Sequence, residues 1–291
     1  MIQNLDSWIK AGKITKEIIE KAKKIIENGV SILDVCEKME KLYNPAFPIN
    51  ISMNEVAAHD TADINDDRIL EGVIKVDVGA QIDGYIGDSA ITIDLTDKYS
   101  DLINANVDAL ETGIREICEK KTFEINKISL AIYECVKKHK LGVITNLSGH
   151  GLEKYNIHSK PTIPNYPTNT REILKSGTVI AIEPFITKED SQVKESGKAK
   201  IFQYVKDIPI RDSKTRDLRD YIKENYKTLP FAKRWLLKDF KFEDIERCLG
   251  NLIRNGNVIE YKPLRNVSNS IVTQFEHTIL IEEKEIKVLT R

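Results

Sequence analysis

The sequence contains few cysteines, and they are spread widely along the chain. The four are Cys36, Cys118, Cys135 and Cys248, with no C-x-x-C pair among them. Isolated cysteines of this kind indicate neither a disulfide framework nor a structural zinc site. We therefore expect reduced, mostly buried thiols, as in a cytosolic protein.

The sequence also lacks an excess of charge and a long apolar run. Its 44 Lys and Arg residues face 45 Asp and Glu residues, a net charge of −1. This balance predicts neither a nucleic-acid nor a membrane partner. No run approaches the roughly 18 apolar residues of a membrane-spanning helix. The first eight residues lack the apolar segment of a secretory signal, so we expect a cytoplasmic protein.

What is present is the pattern of a large globular α+β protein. The 291 residues are 41% hydrophobic, enough for a sizeable core. Apolar residues at helical spacing predict helices over 8–28, 31–42, 99–118 and 125–139. Alternating or short apolar runs predict strands at 47–58, on both sides of Asp83, and at 142–147, 178–182, 270–281 and 286–289.

The pattern changes after residue 188. Residues 188–200 are polar and predict a loop, and three short helices are expected at 213–226, 230–239 and 242–254, followed by a strand at 258–261. Three helices and a small β-element suggest a winged-helix-like subdomain. We therefore expect an insertion over 190–264 within an otherwise continuous α+β domain formed by 1–189 and 265–291. Over 201–262, 14 Lys and Arg against 10 Asp and Glu is too mild a surplus to predict nucleic-acid binding.

Asp77 and Asp88 are the most informative residues. They lie in two apolar runs joined by Asp83-Gly84, which predicts a β-hairpin with a two-residue turn. In that register Gly79 faces Asp88, and Asp77 points to the same face as Asp88. The two carboxylates become diagonal cross-strand neighbours. Two like charges between apolar strands are costly unless a cation offsets them.

Other polar residues recur at strand ends or beside glycine. His150 stands between Gly149 and Gly151, Glu183 ends the apolar run 178–182, and Glu276 lies within another apolar run. Together with the aspartates they form an oxygen-rich ligand set with one imidazole. Such a set suits two divalent ions of the Mn, Fe, Co or Zn kind rather than a structural zinc. Two-metal sites activate a bridging water.

Each of these residues also has an ordinary structural interpretation. Asp77 would serve as a strand-end acid, Asp88 as a turn cap, and His158 as a surface or core histidine. His139 is expected at a solvated helix end, and His277 should point away from Glu276 because neighbours on a strand alternate faces. His150 resists such an interpretation, since flanking glycines mark a close backbone approach.

Five motifs follow one another along the chain: Asn54-Glu55-Val56-Ala57-Ala58-His59, the aspartates Asp77 and Asp88, Gly149-His150-Gly151 with His158, Ile182-Glu183-Pro184-Phe185, and Gln274-Phe275-Glu276-His277. Taken together they resemble type II methionine aminopeptidases of the pita-bread metallopeptidase superfamily. The resemblance covers essentially the whole chain and implies an antiparallel sheet covered by helices. The position of the insertion between Glu183 and Glu276 matches type II, and the short N-terminus resembles the archaeal form.

The resemblance implies removal of the initiator methionine from nascent proteins, with small second residues preferred. It implies that Asp77 binds one metal ion, that Asp88 and Glu276 bridge both, and that His150 and Glu183 complete the other. Three residues receive catalytic roles by the same resemblance. Glu183 shuttles the proton, His158 binds the scissile peptide, and His59 contacts the peptide bond or the leaving amide.

A small apolar pocket is expected for the methionine side chain. The candidates by position are Phe47 and Ile49 before His59, and Phe185 after Glu183. Ordinary core packing is an equally good interpretation of these three. The sequence departs from the usual His-Tyr-Thr-Pro at one motif, where it reads His59-Asp60-Thr61-Ala62. This departure leaves the loop shape and the contacts at the substrate mouth open.

Two alternatives stay open at this stage. One is a proline-directed peptidase of the same fold, although such enzymes usually carry a separate N-terminal domain that finds no room before His59. The other is a non-catalytic binding homologue, although those proteins have lost metal ligands that this chain retains. The expected partners are N-terminal peptides of nascent proteins, with no nucleic acid and no membrane. Ribosome association is left open, and we expect a monomer.

Overall fold

The amphipathic segments form helices with one buried face each. In the computed structural model, which describes residues 3–283 and 285–291, the helices are α1 (Leu5–Ile25), α2 (Ile32–Glu40), α3 (Ser100–Cys118), α4 (Ile125–Lys138), α5 (Ser213–Tyr226) and α6 (Phe242–Asn255). A 3-10 helix covers Lys233–Lys238. The Ser31 side chain caps α2 by accepting a hydrogen bond from the Asp34 N–H, as the sequence predicts.

The β-structure is distributed over short antiparallel sheets. Its strands are β1 (Asn50–Met53), β2 (Val56–Ala58), β3 (Val73–Ile82), β4 (Tyr85–Asp94), β5 (Gly142–Val143), β6 (Ser148–Glu153), β7 (Asn156–Pro164), β8 (Thr178–Ile182), β9 (Phe185–Thr187), β10 (Val193–Glu195), β11 (Ile201–Tyr204), β12 (Pro230–Ala232), β13 (Val258–Tyr261), β14 (Leu264–Asn266), β15 (Thr273–Gln274), β16 (His277–Ile281) and β17 (Ile286–Val288).

Two of the sheets carry the polar residues that the sequence singled out. One has the order β1-β3-β4, and the other the order β17-β16-β8-β6-β7. Helices α1 and α2 pack on the first through a core that includes Ile18, Met39 and Ile74. Helices α3 and α4 pack on the second through a core that includes Ile132 and Ile180. The α+β class and the layering of helices on antiparallel sheets are as predicted.

The predicted helix over 230–239 is wrong in its first part. Residues 230–232 form strand β12, and only the residues from Lys233 onward are helical, as a 3-10 helix. Strand β12 lies at the edge of the sheet β12-β11-β13. An edge strand tolerates Pro230, which has no N–H to donate.

The predicted loop over 188–200 contains a strand. Strand β10 pairs with β14, with Val193 opposite Asn266 and Glu195 opposite Leu264. Val193 is buried while Lys194 and Glu195 are exposed, so the polar composition concealed a strand with one covered face. The first helix also differs from its prediction, since α1 ends at Ile25 rather than at residue 28.

Residues between 199 and 258 have an apolar cluster of their own. It includes Phe202, Leu218, Phe231, Leu236 and Leu252. The sheet β12-β11-β13 belongs to the same stretch, with both outer strands antiparallel to β11. The stretch leaves and rejoins the rest of the chain beside the paired strands β10 and β14.

The cysteines agree with their predicted state. All four are free; Cys36 and Cys248 are buried, and Cys118 and Cys135 are half-buried. Among the residues that the structure describes, no helix combines the length and apolar character needed to cross a membrane.

Candidate metal centre

The hairpin β3–β4 places its two aspartates as the sequence predicts. Gly79 pairs with Asp88 and Asp77 pairs with Ala90, so the carboxylates are diagonal neighbours on one face. Phe47 lies over Gly79, where a Cβ atom would come within 2.1 Å of the phenyl ring. Glycine is therefore required at this position for the ring to lie beside the aspartates.

Glu276 is brought to the hairpin by hydrogen bonds over a long sequence distance. The Glu276 N–H donates to the Ala90 carbonyl at 3.0 Å, and the Ser89 hydroxyl donates to the Glu276 carbonyl at 2.7 Å. The Asp88 N–H donates to the Thr278 hydroxyl at 2.8 Å. Residues 276–278 are thereby fixed against β4.

His150 and Glu183 enter from the neighbouring strands β6 and β8. His150 pairs with Ala181, and a Cβ atom at Gly149 would meet the Ala181 carbonyl oxygen at 2.4 Å. The glycine flank therefore marks a close backbone approach, as the sequence predicts. His150 Nε2 lies 3.5 Å from Glu183 Oε1 and 3.9 Å from Asp88 Oδ2.

The imidazole of His150 presents its Nε2 atom to the carboxylates. Its Nδ1 atom lies 3.2 Å from the Gly151 carbonyl oxygen. A proton on Nδ1 donates to that carbonyl and leaves the lone pair of Nε2 facing Asp88 and Glu183. This is the arrangement of a metal-binding histidine, in which the second ring nitrogen is held by a hydrogen bond.

Burial determines the charge state of the cluster. It raises the pKa of Asp77 to about 7. Burial, followed by repulsion from the neighbouring carboxylates, also raises the pKa values of Asp88, Glu183 and Glu276. The His150 pKa falls to about 3, mainly through burial. The imidazole is therefore neutral near pH 7, while the carboxyl groups need a cation to ionise together.

Several oxygen atoms of the cluster have no protein partner. In the described part of the chain, Asp77 Oδ1, Asp88 Oδ1 and Glu276 Oε1 are buried without a hydrogen bond. Ligand atoms of Asp88, His150 and Glu276 all lie within 4.8 Å of one another. Buried acceptors without donors are costly. Their convergence on one neutral imidazole fits divalent metal ions.

Gln274 fixes the two glutamates. Its Nε2 atom donates to Glu183 Oε2 at 3.2 Å and to Glu276 Oε2 at 3.5 Å. Gln274 is not among the site residues predicted from the sequence, although it stands two positions before Glu276 in the motif Gln274-Phe275-Glu276-His277. The alternation of side chains along a strand could have placed both on one face.

Three aromatic rings stand next to the cluster. The His158 ring lies 4.8 Å from that of His150 and 6.4 Å from that of His59, measured between centroids. Tyr261 lies 5.2 Å from His59 and 6.1 Å from His158. Tyr261 ends the strand predicted over 258–261, but no sequence signal connects that strand to His59.

The two further histidines are neutral at physiological pH. Burial lowers the pKa of His59 to about 3, and His158 adds to the effect. His158 lies at the open side of the cavity, where it is exposed, yet the surrounding protein still lowers the pKa of its imidazole to about 4. Each ring can therefore donate one hydrogen bond and accept another.

The cluster and these rings line one cavity of about 330 Å³. Phe47 and Phe185 belong to its lining, together with Ile157, Ile201 and Pro230. Ile49, expected at this pocket, is instead fully buried in the core beneath β1. The regular strand begins only at Asn50, so the alternation of faces does not extend back to Phe47, and Asn50 lines the cavity in place of Ile49.

The remaining acidic and histidine candidates lie elsewhere. Asp83 occupies the hairpin turn with a φ of 53°. Asp94 accepts hydrogen bonds from the N–H groups of Thr96, Lys98 and Tyr99 at the end of β4. His277 contacts the Thr290 hydroxyl at 2.8 Å, and His139 caps the end of α4.

The fold and the buried cluster together define a class of protein, a metallopeptidase with the pita-bread fold. The profile of Metallopeptidase family M24 matches residues 7–283. The methionine aminopeptidase of Methanocaldococcus jannaschii is 40% identical over 297 residues, which cover 100% of this chain and 99% of that protein. The chain belongs to metallopeptidase family M24 and, within it, to the methionine aminopeptidases.

Solved structures show the same fold. A thermophilic Arx1 superimposes with a TM-score of 0.83 at 18% identity, covering 99% of this chain and 91% of that one. The methionine aminopeptidase of Thermotoga maritima gives a TM-score of 0.70 at 24% identity, with both chains fully covered. At these identities the likeness concerns the fold alone.

Proposed function

We propose that this protein hydrolyses the N-terminal methionine of nascent proteins and peptides, with two divalent metal ions and a preference for a small second residue. The observation that carries the proposal is the convergence of three buried carboxylates, the half-buried Asp77 and one neutral histidine in a partly apolar cavity. Three of their buried oxygen atoms have no protein donor within the described residues. The family relationship supplies the reaction.

In this proposal Asp77, Asp88, His150, Glu183 and Glu276 would hold the two ions, with Asp88 and Glu276 shared between them. The chemistry of the donor set suits Mn, Fe, Co or Zn ions. When bound, such ions supply Lewis acidity and a nucleophilic water near neutral pH. The substrates are N-terminal peptides, whose free amine is expected beside the cluster.

The side chains around the ions have separate tasks. Glu183, whose pKa is raised mainly by burial, accepts and returns the proton of the attacking water. Gln274 holds one of its oxygens in place. His158 donates a hydrogen bond to the scissile peptide, where negative charge develops in the transition state. His59 contacts the peptide bond or the leaving amide.

The methionine side chain is proposed to occupy the apolar side of the cavity, against Phe47 and Phe185. Phe47 has its position because Gly79 leaves room for its ring. An unbranched thioether fills an irregular apolar space well and gains from contact with aromatic rings. The preference for a small second residue is proposed from the family relationship.

We also propose the division of the chain into a catalytic domain (1–189 and 265–291) and an inserted winged-helix-like subdomain (190–264). The separate apolar cluster of the inserted stretch supports this division. So does the pairing of β10 with β14 where the stretch begins and ends. The subdomain contributes Ile201, Pro230 and Tyr261 to the cavity, so its proposed role is to shape the substrate mouth.

The decisive experiment compares peptides on the metal-reconstituted protein. We expect cleavage of Met-Ala-Ser and none of an Ala-Pro peptide, with release of free methionine measured by chromatography. Preference for the Ala-Pro peptide would indicate a proline-directed peptidase, and no cleavage of either would indicate a binding homologue.

Asp88→Asn tests the metal centre in the same assay. Loss of a bridging charge should abolish turnover and weaken metal binding measured by calorimetry. Asp83→Asn is the matched control, because it removes a carboxylate from the same hairpin at a turn position where asparagine adopts the same backbone. An active, metal-replete Asp88→Asn protein would contradict the two-metal proposal.

A further inference from the structure

The backbone at His59 is in a conformation that needs support. Its φ is 62°, in the left-handed region, which is unfavourable for a residue with a side chain. The ring of His59 lies close to those of Tyr261 and His158. The direction in which the His59 ring points therefore depends on the contacts that hold the backbone after residue 59.

Asp60, the next residue, is held on both sides of its carboxylate. Arg68 Nη1 donates to Asp60 Oδ2 at 2.7 Å, and Lys200 Nζ donates to Asp60 Oδ1 at 2.5 Å. The carboxylate has only 5% of its surface exposed. A charge buried this deeply persists only with such partners.

Lys200 connects this carboxylate to the opposite wall of the cavity. It directly precedes β11, and the first residue of β11, Ile201, pairs with Tyr261. The ion pair thus joins the residue after His59 to the residue before the strand partner of Tyr261. It spans the two chain segments between which His59 and Tyr261 meet.

Each residue over 60–63 contacts the 190–264 stretch. Beyond the Lys200 pair, Arg234 Nη1 donates to Thr61 Oγ1 at 3.2 Å and to the Ala62 carbonyl at 2.9 Å. Lys233 Nζ lies 3.1 Å from Asp63 Oδ1. The Lys233 pair is similar in chemistry but three residues further from His59, which makes it a natural control.

We infer that the Asp60–Lys200 ion pair is a positioning element that sets the location of His59 relative to Tyr261 and thereby governs the rate of the chemical step. The inference rests on the function proposed above. It gives Asp60, which stands where this sequence departs from the family motif, a role of its own. Asp60 and Lys200 act through His59 and do not contact the substrate.

Lys200→Met tests the inference with the least disturbance, because Arg68 still pairs with Asp60. We expect kcat for Met-Ala-Ser to fall about 10- to 100-fold, since a displacement of about 1 Å has an effect of this order. KM should change by less than about 2-fold, as expected when an interaction of the transition state is weakened. Metal content and thermal midpoint, measured on the same samples, should match those of the parent protein.

Three further variants distinguish the positioning of His59 by the ion pair from a general effect on the docking of the inserted stretch. Lys200→Arg keeps the charge and should restore kcat to within about 3-fold of the parent. Lys233→Met removes the control pair and should leave kcat unchanged. In a His59→Ala background, Lys200→Met should lower kcat by less than about 2-fold, because residues that act through one another are non-additive.

The outcomes distinguish the inference from the function on which it rests. An inactive metal-loaded parent would reject the proposed function and leave the inference without a basis. An active parent with additive effects of His59→Ala and Lys200→Met would reject the inference alone. Equal losses in Lys200→Met and Lys233→Met would also reject it, in favour of general docking of the inserted stretch.

Discussion

At the scale of single residues, the important charges are those that water does not reach. Asp88 and Glu276 are 3% and 1% exposed, and each has an oxygen atom without a donor. Burial of an unpaired carboxylate is among the costliest features that a fold can carry. The same burial keeps His150 neutral, which is its metal-binding form, whereas the carboxyl groups need a cation before they can ionise together.

Gly79 offers a test of the pocket at this scale. In Gly79→Ala the added Cβ atom would displace the Phe47 ring, because the two would approach to 2.1 Å. We expect a loss of about 1–3 kcal/mol in the free energy of unfolding and a higher KM for Met-Ala-Ser. Urea unfolding and steady-state kinetics measure the two effects.

Gly250→Ala is the control for this substitution. Gly250 lies inside α6, where the nearest atom to an added Cβ is at 3.7 Å. Alanine there should stabilise the protein by about 0.5–1 kcal/mol without changing KM. An unchanged KM in Gly79→Ala would show that Phe47 does not contact the substrate.

At the scale of elements, the sequence pattern correctly predicted those features that depend only on residues near one another in the chain. The hairpin β3–β4 and its register follow from Asp83-Gly84 and from alternation, and the N-cap Ser31 follows from its side chain. The predictions for residues 193–195 and 230–239 were wrong because the structure of these segments depends on distant partners. Strand β10 exists through β14, and β12 through β11.

The same distinction applies to the candidate site. His150 and Glu183 could be selected because each has an unusual local setting, between glycines or at the end of an apolar run. Tyr261 and Lys200 have no such setting, and they reach His59 and Asp60 only through the pairing of β11 with β13. Ile49 lies in the core rather than at the cavity, which its distance from His59 in the sequence could not show.

The segment that precedes β3 allows a prediction about acid stability. Burial alone would raise the pKa of Asp66, but hydrogen bonds from the Arg68 side chain and from the N–H groups of Asp63 and Arg68 lower this pKa to about 2. The ordinary value is 3.8. A carboxyl with a lowered pKa stabilises the fold above its unfolded pKa and loses this contribution as the pH falls.

Asp66→Asn should therefore destabilise the protein by about 2 kcal/mol at pH 6, and the difference from the parent should shrink between pH 4 and pH 2. Urea unfolding at each pH measures it. Asp67→Asn serves as the control, because it removes the same charge from an exposed neighbour. A difference that is constant from pH 6 to pH 2 would contradict the assignment.

At the scale of the whole molecule, the two large cores are joined by the metal centre. The hairpin belongs with α1 and α2, whereas His150, Glu183 and β16 belong with α3 and α4. Mutual repulsion among the carboxylates opposes this junction. Bound cations remove the repulsion, so metal binding should stabilise the entire fold.

Metal removal tests this coupling. At about 100 times the dissociation constant, a ligand that binds only the native state contributes about 2.7 kcal/mol. We therefore expect calorimetry to show a lower thermal midpoint after chelation with EDTA and recovery on addition of Mn or Co ions. The shift should be much smaller in Asp88→Asn, and an equal shift in that variant would place the stabilising ions elsewhere.

The hydrogen bonds that complete the metal centre also determine when the centre can form during synthesis of the chain. The contact between Asp88 and Thr278 joins residues 190 positions apart, and translation delivers the N-terminal half first. The carboxylates of Asp77 and Asp88 on the β3–β4 hairpin therefore lack their partners until β16 has left the ribosome. A growing copy of this chain has no complete catalytic centre, and activity begins only after β16 has been synthesised.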